Sequence, residues 1–202
     1  MSAFPLVVEG RAVTALVVGG GAVAARKARA LAEAGATVRV IAPTVSEELR
    51  ALADGLPVSI EQRAYAEGDI GDATLVVAAT DSRGVNARVA AAAHELRRLV
   101  NVADAPHEGN FSTAAVHRAG DLVIAVTAGG VPGAAARIRD AIAERFDGRY
   151  ASALDALLRL RRRTLGAGGG AAWREQARTL LGPDFCAVVE SGAFDERVTA
   201  WR

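Results

Sequence analysis

Residues 13–18 form a short apolar run that leads directly into Gly19-Gly20-Gly21-Ala22-Val23-Ala24, and residues 22–34 are rich in the helix formers Ala, Arg and Leu. A strand, a glycine turn and a helix in immediate succession leave few folds open. The spacing is Gly-x-Gly-x-x-Ala, in the context where such glycines cradle a diphosphate. Gly19 permits the tight turn, Gly21 lets backbone approach a pyrophosphate, and Ala24 lets the helix pack close to the strand. Unpaired N–H groups and the dipole at the helix start favour phosphate charge there. Gly19, Gly20, Gly21, Ala22 and Val23 are therefore candidate cofactor-binding residues.

The next segments continue the alternation. Gly35 follows the helix in the usual C-terminal cap position, and residues 37–41 are β-branched and predict a second strand. Thr44 with Glu47 fits a capping box for a helix reaching about Asp54. Residues 58–61, 73–79 and 99–102 read as further strands, with a helix over 85–96. This order implies βαβ units, a parallel sheet and a Rossmann domain over residues 1–113. The rhythm then changes. Residues 111–117 and 122–127 read as a strand pair with a turn at 118–121, and a helix follows over 134–146. Beyond Tyr150 the leucine spacing is helical, interrupted by a glycine-rich linker at 166–170, with helices expected over 173–181 and 195–201. The expected architecture is an α/β Rossmann domain, a small mixed α/β region over 114–147, and a C-terminal helical domain over 148–202.

The end of the second strand lacks the Asp or Glu that commonly holds ribose hydroxyls; Ala42-Pro43-Thr44 stands there instead. Pro43 and Thr44 are candidate contacts, with Thr44 either reaching a ribose or serving as the helix cap. No arginine cluster marks a 2′-phosphate site, although Arg39 and Arg63 are candidates, so this strand does not choose between NAD and NADP. Ala78-Ala79-Thr80-Asp81 closes the fourth strand. Thr80 and Asp81 are placed to line a cleft at the carboxyl ends of the strands, with Asp81 also a candidate cap for the next helix.

Composition narrows the function classes. The 202 residues are 51% hydrophobic and 23% charged, with net charge +1, so no global field points to nucleic acid. Cys186 is the single cysteine, which precludes a disulfide framework within one chain and predicts a reducing, cytoplasmic setting; it is expected to be buried and inert. The start of the chain has no signal-peptide pattern, and no apolar stretch approaches the ~20 residues of a membrane span. His94, His107 and His117 show no metal spacing, so no metal site is expected.

The ordered motifs resemble a known family. The segment Val17-Val18-Gly19-Gly20-Gly21-x-Val23-Ala24-x-Arg26-Lys27 is similar to the opening of the precorrin-2 dehydrogenase and sirohydrochlorin ferrochelatase family, the N-terminal unit of siroheme synthase. Three further blocks agree in order: Ala78-Ala79-Thr80-Asp81 with Asn86, Asn101-Val102-x-Asp104-Ala105-Pro106, and Val126-x-x-Gly129-Gly130 with Ala136-Arg137. The resemblance extends to about Phe146 and is weak in the helical tail. It implies a homodimer whose middle region dimerises, with NAD as cofactor. It further implies oxidation of precorrin-2 to sirohydrochlorin, in some relatives with insertion of ferrous iron. The uroporphyrinogen methyltransferase domain of the longer relatives is expected to be absent.

The family's essential aspartate falls on Asp104, expected to act as the general base; otherwise Asp104 would cap the turn before Pro106. Asn101, His107, Gly129, Gly130 and Arg137 are candidate substrate contacts. Residues 134–163 hold eight arginines against Asp140, Glu144, Asp147 and Asp155, a surplus suited to a polycarboxylate. Two departures stand out: Ala114 where the family usually has Pro, and Val131-Pro132-Gly133 where it commonly has Ser-Pro after the second glycine. A dehydrogenase that also chelates iron is the nearest alternative. An NAD(H)-sensing regulatory module is an alternative of another class, opposed by Asp104 and the arginines. A short-chain dehydrogenase is opposed by the absence of Lys four residues after Tyr150.

Overall fold

The computed structural model describes residues 4–201. The first three residues and Arg202, which the sequence reading counts into its terminal domains, lie outside that range. The chain divides into two compact units, one reaching to Ser112 and one starting at Thr113.

The first unit runs β1 (Thr14–Val18), α1 (Ala22–Glu33), β2 (Thr37–Ile41), α2 (Glu47–Gly55), β3 (Val58–Glu61), β4 (Leu75–Ala78), α3 (Arg83–Glu95) and β5 (Leu99–Val102). All pairings are parallel in the order β3-β2-β1-β4-β5. Side chains alternate across the sheet and so feed two cores. Ala15, Val17, Val38 and Val40 pack on one face against Ala24, Ala25 and Ala28 of α1 and Leu49 and Leu52 of α2. Leu16, Val18, Ile41 and Val76 pack on the other against Val89, Ala90 and Ala93 of α3, with Ile70 and Ala73 from the β3–β4 loop. Burial on both faces is why these strands read as unbroken apolar runs.

Both expected caps move by one or two residues. Ser46, not Thr44, caps α2, its hydroxyl accepting from Leu49 N–H at 3.3 Å. The Ser46 N–H itself donates to the Gly20 carbonyl at 2.9 Å, so the glycine loop sets where α2 begins. Ser82, not Asp81, caps α3 by accepting from Val85 N–H at 3.4 Å.

The β3–β4 loop has no regular structure and is held by charge. Arg63 forks onto Asp69 with both contacts at 2.7 Å and reaches Glu61 at 2.6 Å, while Arg39 bonds Glu61 and the Asp69 carbonyl. The Arg63 hydrogen bonds hold the Asp69 carboxyl below its ordinary value of 3.8. A carboxyl depressed on folding adds stability above its unfolded value and loses it as pH falls through the folded one. The melting temperature is therefore expected to drop on acidification below about pH 4. Asp69→Asn should lower it at neutral pH and flatten that dependence, as a pH series of thermal melts would record.

The second unit opens with the hairpin β6 (Ala115–Ala119) and β7 (Leu122–Val126). Its strand starts four residues later than expected, because Phe111 is tied to the first unit's sheet: its N–H donates to the Val100 carbonyl and its own carbonyl accepts from the Asn101 amide. Gly120, at φ +57°, takes the first position of the two-residue turn. Then come α4 (Pro132–Arg145), α5 (Gly148–Gly166), α6 (Gly170–Leu180), α7 (Phe185–Glu190) and α8 (Phe194–Thr199). The expected linker shrinks to a three-residue break at 167–169 between α5 and α6. Tyr150, Leu157, Leu160, Leu180, Phe194 and Val198 make one core, joined by ring contacts from Phe146 to Phe194. The regions read separately in the sequence as 114–147 and 148–202 thus fall within a single unit. Cys186 is half-buried rather than buried, and burial pushes the neighbouring Tyr150 hydroxyl well above its ordinary range. Among the described residues no helix is long and apolar enough to cross a membrane.

Candidate active site

A cleft of about 510 Å³ opens at the carboxyl ends of the parallel strands. Gly19, Gly20 and Gly21 line its middle, Pro43 and Thr44 one side, and Thr80 and Asp81 another. The three glycines answer three different demands. Gly19 has φ +132°, and a Cβ there would lie 2.2 Å from the Ala79 carbonyl oxygen. A Cβ on Gly20 would lie 1.8 Å from the Thr44 carbonyl oxygen. A Cβ on Gly21 would meet no protein atom within 4 Å. Protein packing therefore explains the first two glycines and leaves the third facing open space.

The helix start fits an anion. Gly21 precedes α1 with no side-chain cap, and the first helical bond is Ala25 N–H to the Gly21 carbonyl at 3.0 Å. The N–H groups of Ala22, Val23 and Ala24 have no helical acceptor. Ala22 and Val23 are exposed in that first turn, while Ala24 is buried against the sheet. The orphaned donors and the open face of Gly21 suit a diphosphate.

Thr80 and Asp104 are drawn together by a residue that sequence reasoning left out of the site. Asn86 is fully buried on the apolar face of α3. Its Oδ1 accepts from the Thr80 hydroxyl at 2.8 Å and the Thr80 N–H at 3.1 Å; its amide donates to the Thr80 carbonyl and to Asp104 Oδ1, both at 3.0 Å. Asp104, after β5, keeps 37% of its side chain exposed, and Arg83 Nε stands 3.9 Å from its other oxygen. Arg83 also pairs with Glu108. The signal for Asn86 lay in the helix pattern, since a polar residue shares the apolar stripe of Val89, Ala90 and Ala93. Tyr65 and Arg88, which also line the cleft, carried no such signal.

Within the first unit, Asn101 and His107 do not join this cluster. Asn101 is buried with its amide spent on the Phe111 carbonyl at 3.2 Å. His107 is 78% exposed in a short 3₁₀ turn. Arg39 and Arg63, the candidates for a 2′-phosphate, do not line the cleft and are committed to Glu61 and Asp69. Gly129 and Gly130, both at positive φ, and the exposed Arg137 belong to the second unit. There Arg139, Arg145, Arg149 and Arg159 are paired with carboxylates. Arg137, Arg161, Arg162 and Arg163 have no ion-pair partner among the described residues. No three metal-ligating side chains converge among the described residues.

Residues 6–115 match a family described as "Putative NAD(P)-binding". The siroheme synthase of Pseudomonas fluorescens (strain SBW25) is 42% identical over 130 residues, which are 64% of this chain and 28% of that protein. The siroheme synthase of Saccharophagus degradans is 38% identical over 151 residues, 74% of this chain and 33% of that protein. This chain thus spans about a third or less of the curated relatives it matches. A solved structure, "SirC, precorrin-2 dehydrogenase", superposes with a TM-score of 0.78 at 24% identity, covering 98% of this chain and all of that one. The two share their fold.

Proposed function

The chain belongs to this NAD(P)-binding family, and from that premise we propose that it oxidises precorrin-2 to sirohydrochlorin with NAD as hydride acceptor and Asp104 as general base. The observation that carries the reading is the placement of Asp104 on Asn86, beside Thr80 at the rim of the dinucleotide cleft. Forming each new double bond in the tetrapyrrole removes a hydride and a proton. A bound dinucleotide would supply the hydride acceptor. The chain's part is to hold the diphosphate on the α1 amides and to take up the proton. Asp104 suits that part: one oxygen is fixed by the Asn86 amide, and the carboxylate remains open to solvent and substrate.

NAD rather than NADP follows from the commitment of Arg39 and Arg63 to carboxylates, and from Glu47 and Glu48 in the first turn of α2, which would repel a 2′-phosphate near β2. The substrate is a polycarboxylate, and Arg137, Arg161, Arg162 and Arg163 on α4 and α5, without ion pairs among the described residues, are the groups suited to it. Assembly as a homodimer and a cytoplasmic setting belong to the same reading. So does the alternative that ferrous iron is inserted afterwards, in which case Asp104 would strip the pyrrole protons. The test is an anaerobic assay of the purified chain with precorrin-2 and NAD. Equimolar NADH and sirohydrochlorin are expected, and neither should form if the reading is wrong. Ferrous iron added to sirohydrochlorin in a second assay decides the chelatase alternative.

A further inference from the structure

Resting on that reading of the cleft, we propose that Tyr65 and Arg88 form a subsite for the adenosine half of the dinucleotide, sufficient for ADP to bind with no nicotinamide attached. The glycine loop fixes the diphosphate above β1, and Asp104 marks the side of β4 and β5 for the reacting ring. The sheet order β3-β2-β1-β4-β5 then leaves the ends of β2 and β3 for adenosine. There β2 supplies no acid for the ribose, so the polar contacts must come from elsewhere.

Two side chains at the cleft have unspent hydrogen-bonding capacity. The Tyr65 hydroxyl is buried and has no hydrogen-bond partner among the described residues. Such a group costs the fold stability unless something outside the chain pairs it. Burial also pushes its titration upward, so it stays a donor. Arg88 lines the same cleft and has no ion pair among the described residues, whereas Arg39, Arg63 and Arg83 nearby are all paired with carboxylates. A guanidinium offers five donors and a flat face; purine ring nitrogens and ribose oxygens are acceptors, and an adenine face stacks on such a plane. The loop that presents Tyr65 is set in advance, since Asp69 accepts from Ala66 N–H at 2.6 Å as well as holding Arg63. Ordering that loop is a cost already met before the nucleotide arrives.

The experiment is calorimetry of the whole chain with ADP and, separately, NAD, on the parent, Tyr65→Phe and Arg88→Ala. The parent should bind both. Each variant should weaken ADP and NAD by a similar factor of about 10, as expected for one lost hydrogen-bonding group. Tyr65→Phe should melt no lower than the parent without nucleotide, because it removes an unpaired hydroxyl. A merely structural tyrosine would give the opposite pattern, a lower melting point with binding unchanged, and would overturn the proposal. So would a parent that binds NAD but not ADP, or variants that hold ADP as tightly as the parent; in either case the dinucleotide reading stands. A parent that binds neither nucleotide removes both.

Discussion

Asp104→Ala is expected to lower the rate of sirohydrochlorin formation by about 10²–10⁴-fold, the range typical of a lost general base. NAD affinity should stay within about twofold, because the carboxylate lies beyond the glycine loop proposed to hold the diphosphate. Single-turnover absorbance under anaerobic conditions measures the first effect and calorimetry the second. Normal turnover by this variant would remove Asp104 from the chemistry. Asn86→Ala offers the contrast. It strips the buried partner from both Thr80 and Asp104, so it should slow turnover and also destabilise the fold by about 1–3 kcal/mol. Asp104→Ala leaves Asn86 its three bonds to Thr80 and should cost far less stability. The pair separates a residue that takes a proton from one that positions it.

Gly21→Val is expected to abolish measurable NAD binding, an affinity loss of at least about 100-fold or 2.8 kcal/mol, while leaving the melting temperature within a few degrees of the parent. The backbone at Gly21 is extended, at φ −89° and ψ −174°, so valine meets no strain, and its Cβ would meet no protein atom. The isopropyl group would fill the open space at the start of α1 that is proposed for the diphosphate. Gly20→Ala should behave in the reverse order. Its methyl would drive into the Thr44 carbonyl and break the Ser46–Gly20 hydrogen bond, destabilising the fold by about 3 kcal/mol or more. Thermal melts read against calorimetry distinguish the two. If Gly21→Val binds NAD normally, the open face of the loop is not a phosphate site.

These expectations rest on features legible to different degrees in the chain. The parallel sheet was written into residues 14–102, because strands buried on both faces must be apolar throughout and the helices between them carry their own periodicity and caps. β2, β3 and β5 fall at the residues the pattern predicts. The glycine loop was equally legible, since its function depends on spacing within six residues. Local pattern misplaced the α2 cap, where Thr44 and Ser46 both precede a glutamate. The choice between them is made by the Gly20 carbonyl, 26 residues upstream of Ser46, which takes the Ser46 N–H.

Sequence alone determined the fold class and the glycine loop, because both follow from hydrophobic period and backbone freedom over short windows. Only the tertiary structure decided which polar groups are spent and which are available. It gave Arg39 and Arg63 to carboxylates, left the Tyr65 hydroxyl without a hydrogen bond and Arg88 without an ion pair among the described residues, and joined Thr80 to Asp104 through Asn86. Arg39 and Glu61 stand 22 residues apart and Asn86 and Asp104 18 apart, beyond the reach of any local pattern, and the energy that selects these pairings comes from burial and charge in three dimensions.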